Sequence, residues 1–498
     1  MTRLTESALA LAAGLLMALG LAPFSLAWAP VLGLGMIFAQ LARMRRARAV
    51  SGHGYLFGLG YAGLGVYWIY HSIADYGGGP LAAVLATGTL VALFALIPMS
   101  ALFIGWWVGA GHAGRRVLMA LPLAWLLVEW VRSWLFTGAT WLSVGYSQID
   151  TPLAHFAPVF GVYGPGLMVA LLGGTLAWWL LRPRSARVAL PLLATLGLAM
   201  AGIALQRDWT QPVDGPVTVA MLQGNIAQDR KWDPDERGVI LAEYLRMSRA
   251  EFGQDLIVWP ETALPVFYGQ AREWLDRLAE QAAAAGSSIV LGAPVAAEDG
   301  LYNAVAVPGG TPQFYYKRHL VPFGEYVPFR DLAGGVLDFV GTPLGDFNAG
   351  TRADPLQAAG HALGVSICYE VTFGAEVADA LPVAEILLNV SNDAWFGAST
   401  APWQHLQMAR MRALETGRPM IRATNTGISA LIDAKGRVQV SGPLFERAVV
   451  SGSVQPHAGA TPYLHWRDGP MALLALAGTG LLLVLRWRGA SPHRRWRS

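Results

Sequence analysis

The chain has 498 residues, 54% of them hydrophobic and 14% charged, which is too long for one ordinary domain and too apolar for an ordinary soluble protein. The formal net charge is only +3, and the arginines gather in short runs between apolar stretches, a pattern of membrane topology rather than of nucleic-acid binding. A single cysteine, Cys368, excludes an intramolecular disulfide and argues against a thiolate-rich zinc site.

Apolar stretches at about 7–23, 27–42, 54–74, 81–108, 117–135, 163–181 and 188–205 are each near the length a helix needs to cross the hydrocarbon core, and another at about 469–485 follows a long polar interval. The first has Arg3 before it, as a signal peptide would, but no clear small-residue cleavage site follows and a second span comes directly after. It is therefore expected to be a retained helix. Arg43, Arg45, Arg46 and Arg48 follow the second span, Arg115 and Arg116 the fourth, and Arg182, Arg184 and Arg187 the sixth. Arg486, Arg488, Arg494, Arg495 and Arg497 follow the last. The alternate loops, around Asp75 to Gly77 and from Thr137 to Phe160, hold no lysine or arginine. By the positive-inside rule both termini face the cytoplasm and the interval 206–465 faces the opposite side. The expected organisation is a membrane domain over 1–205 with about seven spans, a second domain over 206–465, and a final span with a basic cytoplasmic tail over 466–498.

Within the fifth span, Glu129 and Arg132 lie three residues apart, close enough on one helix face to pair. An intramembrane ionisable pair allows a transport reading. Arg132, near the outer end of the span, also has the option of snorkelling to the interface.

From Pro212 to Tyr463 strands alternate with helices. Val217–Leu222, Asp255–Trp259, Ser288–Leu291, Tyr302–Val307 and Phe314–Lys317 read as strands, with helices from Pro234 to about Glu251 and from Ala271 to Ala285. Next come the strand ending at Cys368, a helix around Ala375–Ala380, the strand Glu385–Val390 and a helix from about Gln404 to Thr416. Met420–Ala423 and a hairpin of Ala430–Ile432 with Arg437–Val440, turned at Ala434–Gly436, close the set. The pattern predicts a layered α/β domain.

Candidate chemistry sits at the strand ends. Glu261 follows one strand, Lys317 closes another and Cys368 ends a third, so the three groups can converge on one sheet edge, as an acyl-transfer site requires. A thiol with a pKa of about 8.5 is mostly protonated at neutral pH and needs a base such as Glu261. A tetrahedral oxyanion needs a cation and amide donors, which Lys317 and the backbone N–H after Cys368 would supply. Each residue also has an ordinary alternative: a helix cap for Glu261, a solvated charge for Lys317, and a packed inert thiol for Cys368.

Trp259-Pro260-Glu261, Lys317 ahead of Leu320-Val321-Pro322-Phe323-Gly324-Glu325, and Cys368-Tyr369-Glu370 resemble the Glu-Lys-Cys signatures of the carbon–nitrogen hydrolase (nitrilase) superfamily. Gln223-Gly224-Asn225 before Lys231-Trp232, and the run Asn389 to Gly397 after the cysteine, extend the likeness. With seven spans before and one after, essentially the whole chain is similar to that superfamily's membrane-bound branch, the apolipoprotein N-acyltransferase family. The resemblance implies an αββα sandwich with Glu261 as general base, Lys317 as oxyanion stabiliser and Cys368 as nucleophile, Glu325 supporting the lysine, and Trp232, Tyr369 and Glu370 shaping the site. It implies neither metal nor cofactor. Its substrates would be a phospholipid acyl donor in the membrane and a diacylglyceryl apolipoprotein acceptor, at the periplasmic face of a bacterial inner membrane. A membrane-tethered amidase of the same superfamily, or a transporter with an external accessory domain, are the competing expectations.

The apolar loops Leu264–Tyr268, Val336–Val340 and Ala394 through Trp403 favour a lipid donor if they face the membrane interface, where they would admit acyl chains. The alternative is that they pack the domain itself.

Overall fold

The computed structural model describes residues 3–182, 189–322, 324–326 and 347–489. The chain forms two compact units, residues 1–207 with 465–498, and Asp208–Leu464. Phe323, the loop Val336–Val340, and Arg184, Arg187, Arg494, Arg495 and Arg497 lie outside the described residues.

In the first unit the apolar stretches are helical: Arg3–Ala18, Ala29–Arg43, Ala47–Gly65, Gly79–Phe94 leading into Leu96–Val108, Leu121–Arg132, Tyr163–Leu181, Ala189–Ala204 and Gly469–Gly489. Among the described residues, Gly79–Val108, Tyr163–Leu181 and Gly469–Arg488 are long and apolar enough to cross a membrane. Helices Arg3–Ala18 and Ala47–Gly65 approach so closely that a Cβ on Gly14 would stand 1.9 Å from the carbonyl oxygen of Phe57. Small residues are what such backbone contact demands.

Prolines account for two of the departures from the predicted spans. Pro98 has no N–H and its ring crowds the carbonyl four residues back, at Phe94, where the helix is interrupted. Ahead of Pro122 the backbone widens into a π-turn, Arg116–Ala120, so the helix predicted over 117–135 covers only Leu121–Arg132. The stretch predicted over 54–74 ends at Gly65 and resumes as Ile69–Ile73.

Glu129 and Arg132 are buried and 3.7 Å apart. Both side chains are engaged by neighbouring backbone and side-chain groups. Glu129 Oε1 accepts the Val144 N–H at 2.9 Å, and Arg132 donates to the Ser143 hydroxyl at 2.9 Å and to the Ala139 carbonyl. The Tyr61 hydroxyl donates to the Leu142 carbonyl at 2.6 Å. The pair thus satisfies the backbone of a buried, non-helical segment, and Arg132 turns into the protein rather than snorkelling outward.

The second unit is an αββα sandwich. One sheet has the order β13-β2-β3-β4-β5-β6, built from β2 (Val217–Gln223), β3 (Leu256–Val258), β4 (Ser288–Ala297), β5 (Gly300–Val307), β6 (Gln313–Tyr316) and β13 (Ala448–Val454). The other has the order β12-β11-β10-β9-β8-β7, from β7 (Leu356–Ala358), β8 (His361–Ile367), β9 (Ile386–Ser391), β10 (Met420–Thr424), β11 (Ala430–Ile432) and β12 (Val438–Ser441). In each, three parallel strands (β2, β3, β4 and β8, β9, β10) are flanked by antiparallel ones. A small ribbon pairs β1 (Thr210–Pro212) with β14 (His457–Gly459).

Alternation along the strands builds the layers. Val217, Val219 and Met221 of β2 meet Ile386, Leu388 and Val390 of β9 in the core between the sheets. The opposite face of the first sheet, including Leu222 and Ile257, packs on Tyr244, Leu275 and Leu278 of helices Arg237–Ala250 and Tyr268–Ala284. The opposite face of the second, including Leu387 and Met420, packs on Leu406, Ala409 and Ala413 of helix Ala401–Thr416. Strands β1, β7, β13 and β14 are not among the predicted elements; β13, Ala448-Val449-Val450-Ser451-Gly452-Ser453-Val454, carries Gly and Ser where a strand signal is weakest.

Candidate active site

Three strand ends from the two sheets carry the candidate side chains. Beyond β3, Trp259 is fully buried, stacks on Tyr244 at 4.7 Å between ring centroids and donates its indole N–H to Ser248 at 2.9 Å. That anchor holds the turn in which Glu261 sits. Gly292 of β4 passes directly beneath it, and a Cβ there would lie 2.4 Å from the Pro260 carbonyl oxygen and 2.7 Å from Glu261 Cα. Beyond β6, the Lys317 N–H donates to the Asn303 carbonyl at 2.8 Å, and its carbonyl accepts from Gly350 at 2.8 Å. Beyond β8, Cys368 adopts a left-handed backbone, φ 52°, where the strand turns sharply into the 3-10 turn Cys368–Thr372. Non-glycine residues held in this backbone conformation cluster at active sites.

Glu261, Lys317 and Glu325 form one group in which Glu261 and Lys317 are buried and Glu325 is half-buried. Lys317 Nζ lies 2.8 Å from Glu325 Oε1 and 3.5 Å from Glu261 Oε1. Asn303 Nδ2 donates to both of those oxygens, at 2.8 Å for Glu261 and 3.1 Å for Glu325. The second oxygen of Glu261 accepts the Asn392 N–H at 2.8 Å, and that of Glu325 the Val321 N–H at 2.8 Å. Burial pulls the Lys317 ammonium down, but Glu325, and after it Glu261, outweigh burial and leave its pKa raised, so it is a permanent cation. The Cys368 thiol is pushed the other way from a thiolate: burial, then the Glu261 charge, raise its pKa, against the opposing pull of Lys317. It rests as a neutral thiol beside a carboxylate and an ammonium. That arrangement suits proton removal during attack rather than beforehand.

Glu370 ties the cysteine turn to the lysine strand. Its carboxylate accepts the Ile367 N–H at 2.6 Å, the Arg318 N–H at 2.6 Å, the His319 N–H at 3.0 Å and the Tyr315 hydroxyl at 3.0 and 3.1 Å. It is buried, and both of its oxygens are taken up by these donors. Tyr369 is half-buried, its ring edge-on to Phe373 at 5.0 Å and to His319 at 5.7 Å. Trp232 is half-buried, and its indole nitrogen has no hydrogen-bond partner among the described residues.

Sequence reasoning passed over the layer behind the thiol. His405 Nε2 lies 3.1 Å from the Cys368 carbonyl oxygen, while its Nδ1 lies 3.0 Å from Asp393 Oδ1 and 3.0 Å from Arg422 Nη2. Arg422 also pairs with Asp393 Oδ2 at 3.0 Å and reaches Asn389 Oδ1. All three charged or titratable groups are fully buried. Burial would raise Asp393, but Arg422 and then His405 hold it down at about 2. Asn303, which bonds both Glu261 and Glu325, was likewise passed over, and Lys231 was given no role beyond standing before Trp232 in the likeness. Asn389, Asn392 and Asp393 belong to a run noted in the sequence, yet nothing in their spacing reports that they meet Arg422 and Glu261.

The apolar loops divide. Leu264 and Tyr268 are buried in the core with Trp259 and Leu275, so the first loop packs the domain and is not an open lipid entry. In the loop from Ala394, Ala394 and Phe396 are also buried, whereas Trp403 is 43% exposed.

The two-sheet sandwich with helices outside is the layering of a carbon–nitrogen hydrolase, and the carbon-nitrogen hydrolase signature, matched over residues 218–463, assigns the unit to that fold. The signature of the apolipoprotein N-acyltransferase N-terminal domain matches residues 13–175. Three relatives share that name: one from Methylococcus capsulatus is 45% identical over 98% of this chain and 97% of its own, one from Pseudomonas syringae pv. tomato 43% over 96% and 96%, and one from Nitrosomonas europaea 43% over 98% and 98%. The chain belongs to the apolipoprotein N-acyltransferase family. It is an acyltransferase of lipoprotein maturation, and the amidase alternative gives way to that reading.

Proposed function

We propose that the protein moves a fatty acyl chain from a membrane phospholipid to the α-amine of an S-diacylglyceryl cysteine, through a thioester on Cys368. The observation that carries this reading is the meeting of Glu261, Lys317 and Cys368 at three strand ends, with a neutral thiol beside an occupied carboxylate and a fixed cation. Glu261 takes the thiol proton as sulfur attacks an ester carbonyl of the donor. Lys317, with the backbone N–H that follows Cys368, holds the oxyanion. Collapse expels the glycerol oxygen, which takes the proton from Glu261, and lysophospholipid leaves. The acceptor amine, with a pKa near 8, is partly neutral at pH 7. It attacks the thioester, gives a proton to Glu261 and departs as the amide, and the thiolate recovers its proton from Glu261.

Because one site serves both substrates in turn, initial rates at varied donor and several fixed acceptor concentrations are expected to give parallel double-reciprocal lines. Intersecting lines would instead favour direct transfer in a ternary complex.

The arginine distribution supports a multi-pass inner-membrane protein whose 206–465 domain faces the periplasm, with both termini in the cytoplasm. Reporter fusions within that domain are expected to be active only as periplasmic reporters. A cytoplasmic signal from them would overturn this topology and remove the site's access to exported lipoproteins.

A further inference from the structure

Lys231 is 2% exposed, yet its ammonium has no hydrogen-bond partner among the described residues. An isolated buried ammonium is a costly arrangement, because nothing replaces the water it has lost. The segment that carries it is strapped to the Glu261 side of the site. Asn425 exchanges hydrogen bonds with the backbone of Ile226, at 3.0 and 2.7 Å, and donates to Asn392 Oδ1 at 3.0 Å. Asn392 in turn donates its side-chain N–H to Gln228 at 2.8 Å and its backbone N–H to Glu261 at 2.8 Å. Lys231 ends the short helix Gln228–Lys231 held by these bonds. Glu261 is the charge it senses, but the two carboxylate oxygens of Glu261 are already engaged by Asn303, Lys317 and Asn392. The site therefore holds two lysines with different tasks: Lys317 is saturated by carboxylates and Lys231 lacks an anion.

We propose that Lys231 receives the phosphodiester of the acyl donor. The inference rests on the phospholipid-donor reading above and adds a recognition point to it. In a glycerophospholipid the phosphate is separated from the scissile ester by only the glycerol carbons, so a donor whose carbonyl is at Cys368 brings an anion into the same site. The diacylglyceryl acceptor has no phosphate, so Lys231 acts on the first half-reaction alone. Burial lowers the Lys231 pKa to about 8 against the upward pull of Glu261, which leaves it mostly charged at neutral pH.

The test is single-turnover acylation of Cys368, followed by mass spectrometry on the full-length protein, with either phosphatidylethanolamine or the uncharged ester p-nitrophenyl palmitate as donor. Lys231→Met is expected to slow acylation by the phospholipid on the order of tenfold or more beyond any effect on the uncharged ester, with a higher half-saturating donor concentration. Lys231→Arg, which keeps the cation, is expected to recover part of the loss. Equal slowing with both donors, or none with the phospholipid, would overturn the inference; reaction with the uncharged ester shows that the variant's site is folded. Failure of the unaltered protein to accept acyl from phospholipid, while it accepts it from p-nitrophenyl palmitate, would remove the donor reading and the inference with it.

Discussion

Replacing Cys368 by alanine is expected to abolish acyl transfer, with a loss on the order of ten-thousandfold or more, because no other group can carry the acyl intermediate. The fold is expected to survive. The residue sits at the end of β8 in the core between the sheets, and the substitution removes one sulfur atom, a cost of about 1 kcal/mol. The thiol is neutral at rest, so its loss strands no buried charge. Alanine also meets the left-handed backbone, φ 52°, with the same Cβ that cysteine has, so no new strain is added. Purified Cys368→Ala should unfold close to the unaltered protein in a thermal melt while showing no transfer. Near-normal activity would remove Cys368 from the reaction.

Lys317→Met is expected to be nearly as damaging to turnover and far more damaging to stability. Loss of the oxyanion partner alone costs on the order of 100-fold or more. A second effect compounds it. Lys317 stands between Glu261 and Glu325, whose Oε1 atoms also share the Asn303 amide. Without the cation, the buried carboxylate of Glu261 and the half-buried one of Glu325 face each other, and one is driven to take up a proton. If that one is Glu261, the base is lost as well. Removing one partner of a buried ion pair typically costs about 3 kcal/mol or more, so the melting temperature of Lys317→Met should fall clearly below that of Cys368→Ala. Equal stabilities of the two variants would contradict this account of the acid pair, and retained turnover would contradict the role of the lysine.

Much of this site was legible because it lies at strand ends. The apolar runs before Glu261, Lys317 and Cys368 locate β3, β6 and β8, and a polar residue just past an apolar strand is conspicuous. What such runs do not carry is how strand ends from two different sheets are held together. The Glu370 clamp depends on Tyr315 and on the backbone of Arg318 and His319, more than fifty residues earlier in the chain. His405, Asp393 and Arg422 come from a helix, a turn and a strand, and no spacing rule joins them. Lys231 is hidden for a different reason: it ends the charged stretch Asp229-Arg230-Lys231, and only burial shows that its charge is unanswered. In the membrane unit the apolar runs locate the helices, but length alone misses the proline effects at Pro98 and Pro122. The Glu129–Arg132 pair was readable as a pair, whereas its purpose emerges only with the segment Ala139–Val144 folded against it.

The thioester on Cys368 is the central claim, and the mass of the peptide that contains Cys368 tests it most directly. After exposure of the purified protein to phospholipid vesicles without acceptor, that peptide should gain one fatty acyl chain. Addition of a diacylglyceryl lipopeptide should then discharge it, with the same chain appearing on the lipopeptide's N-terminal amine. An unmodified Cys368 in a preparation that completes transfer as soon as both substrates are present would contradict the account.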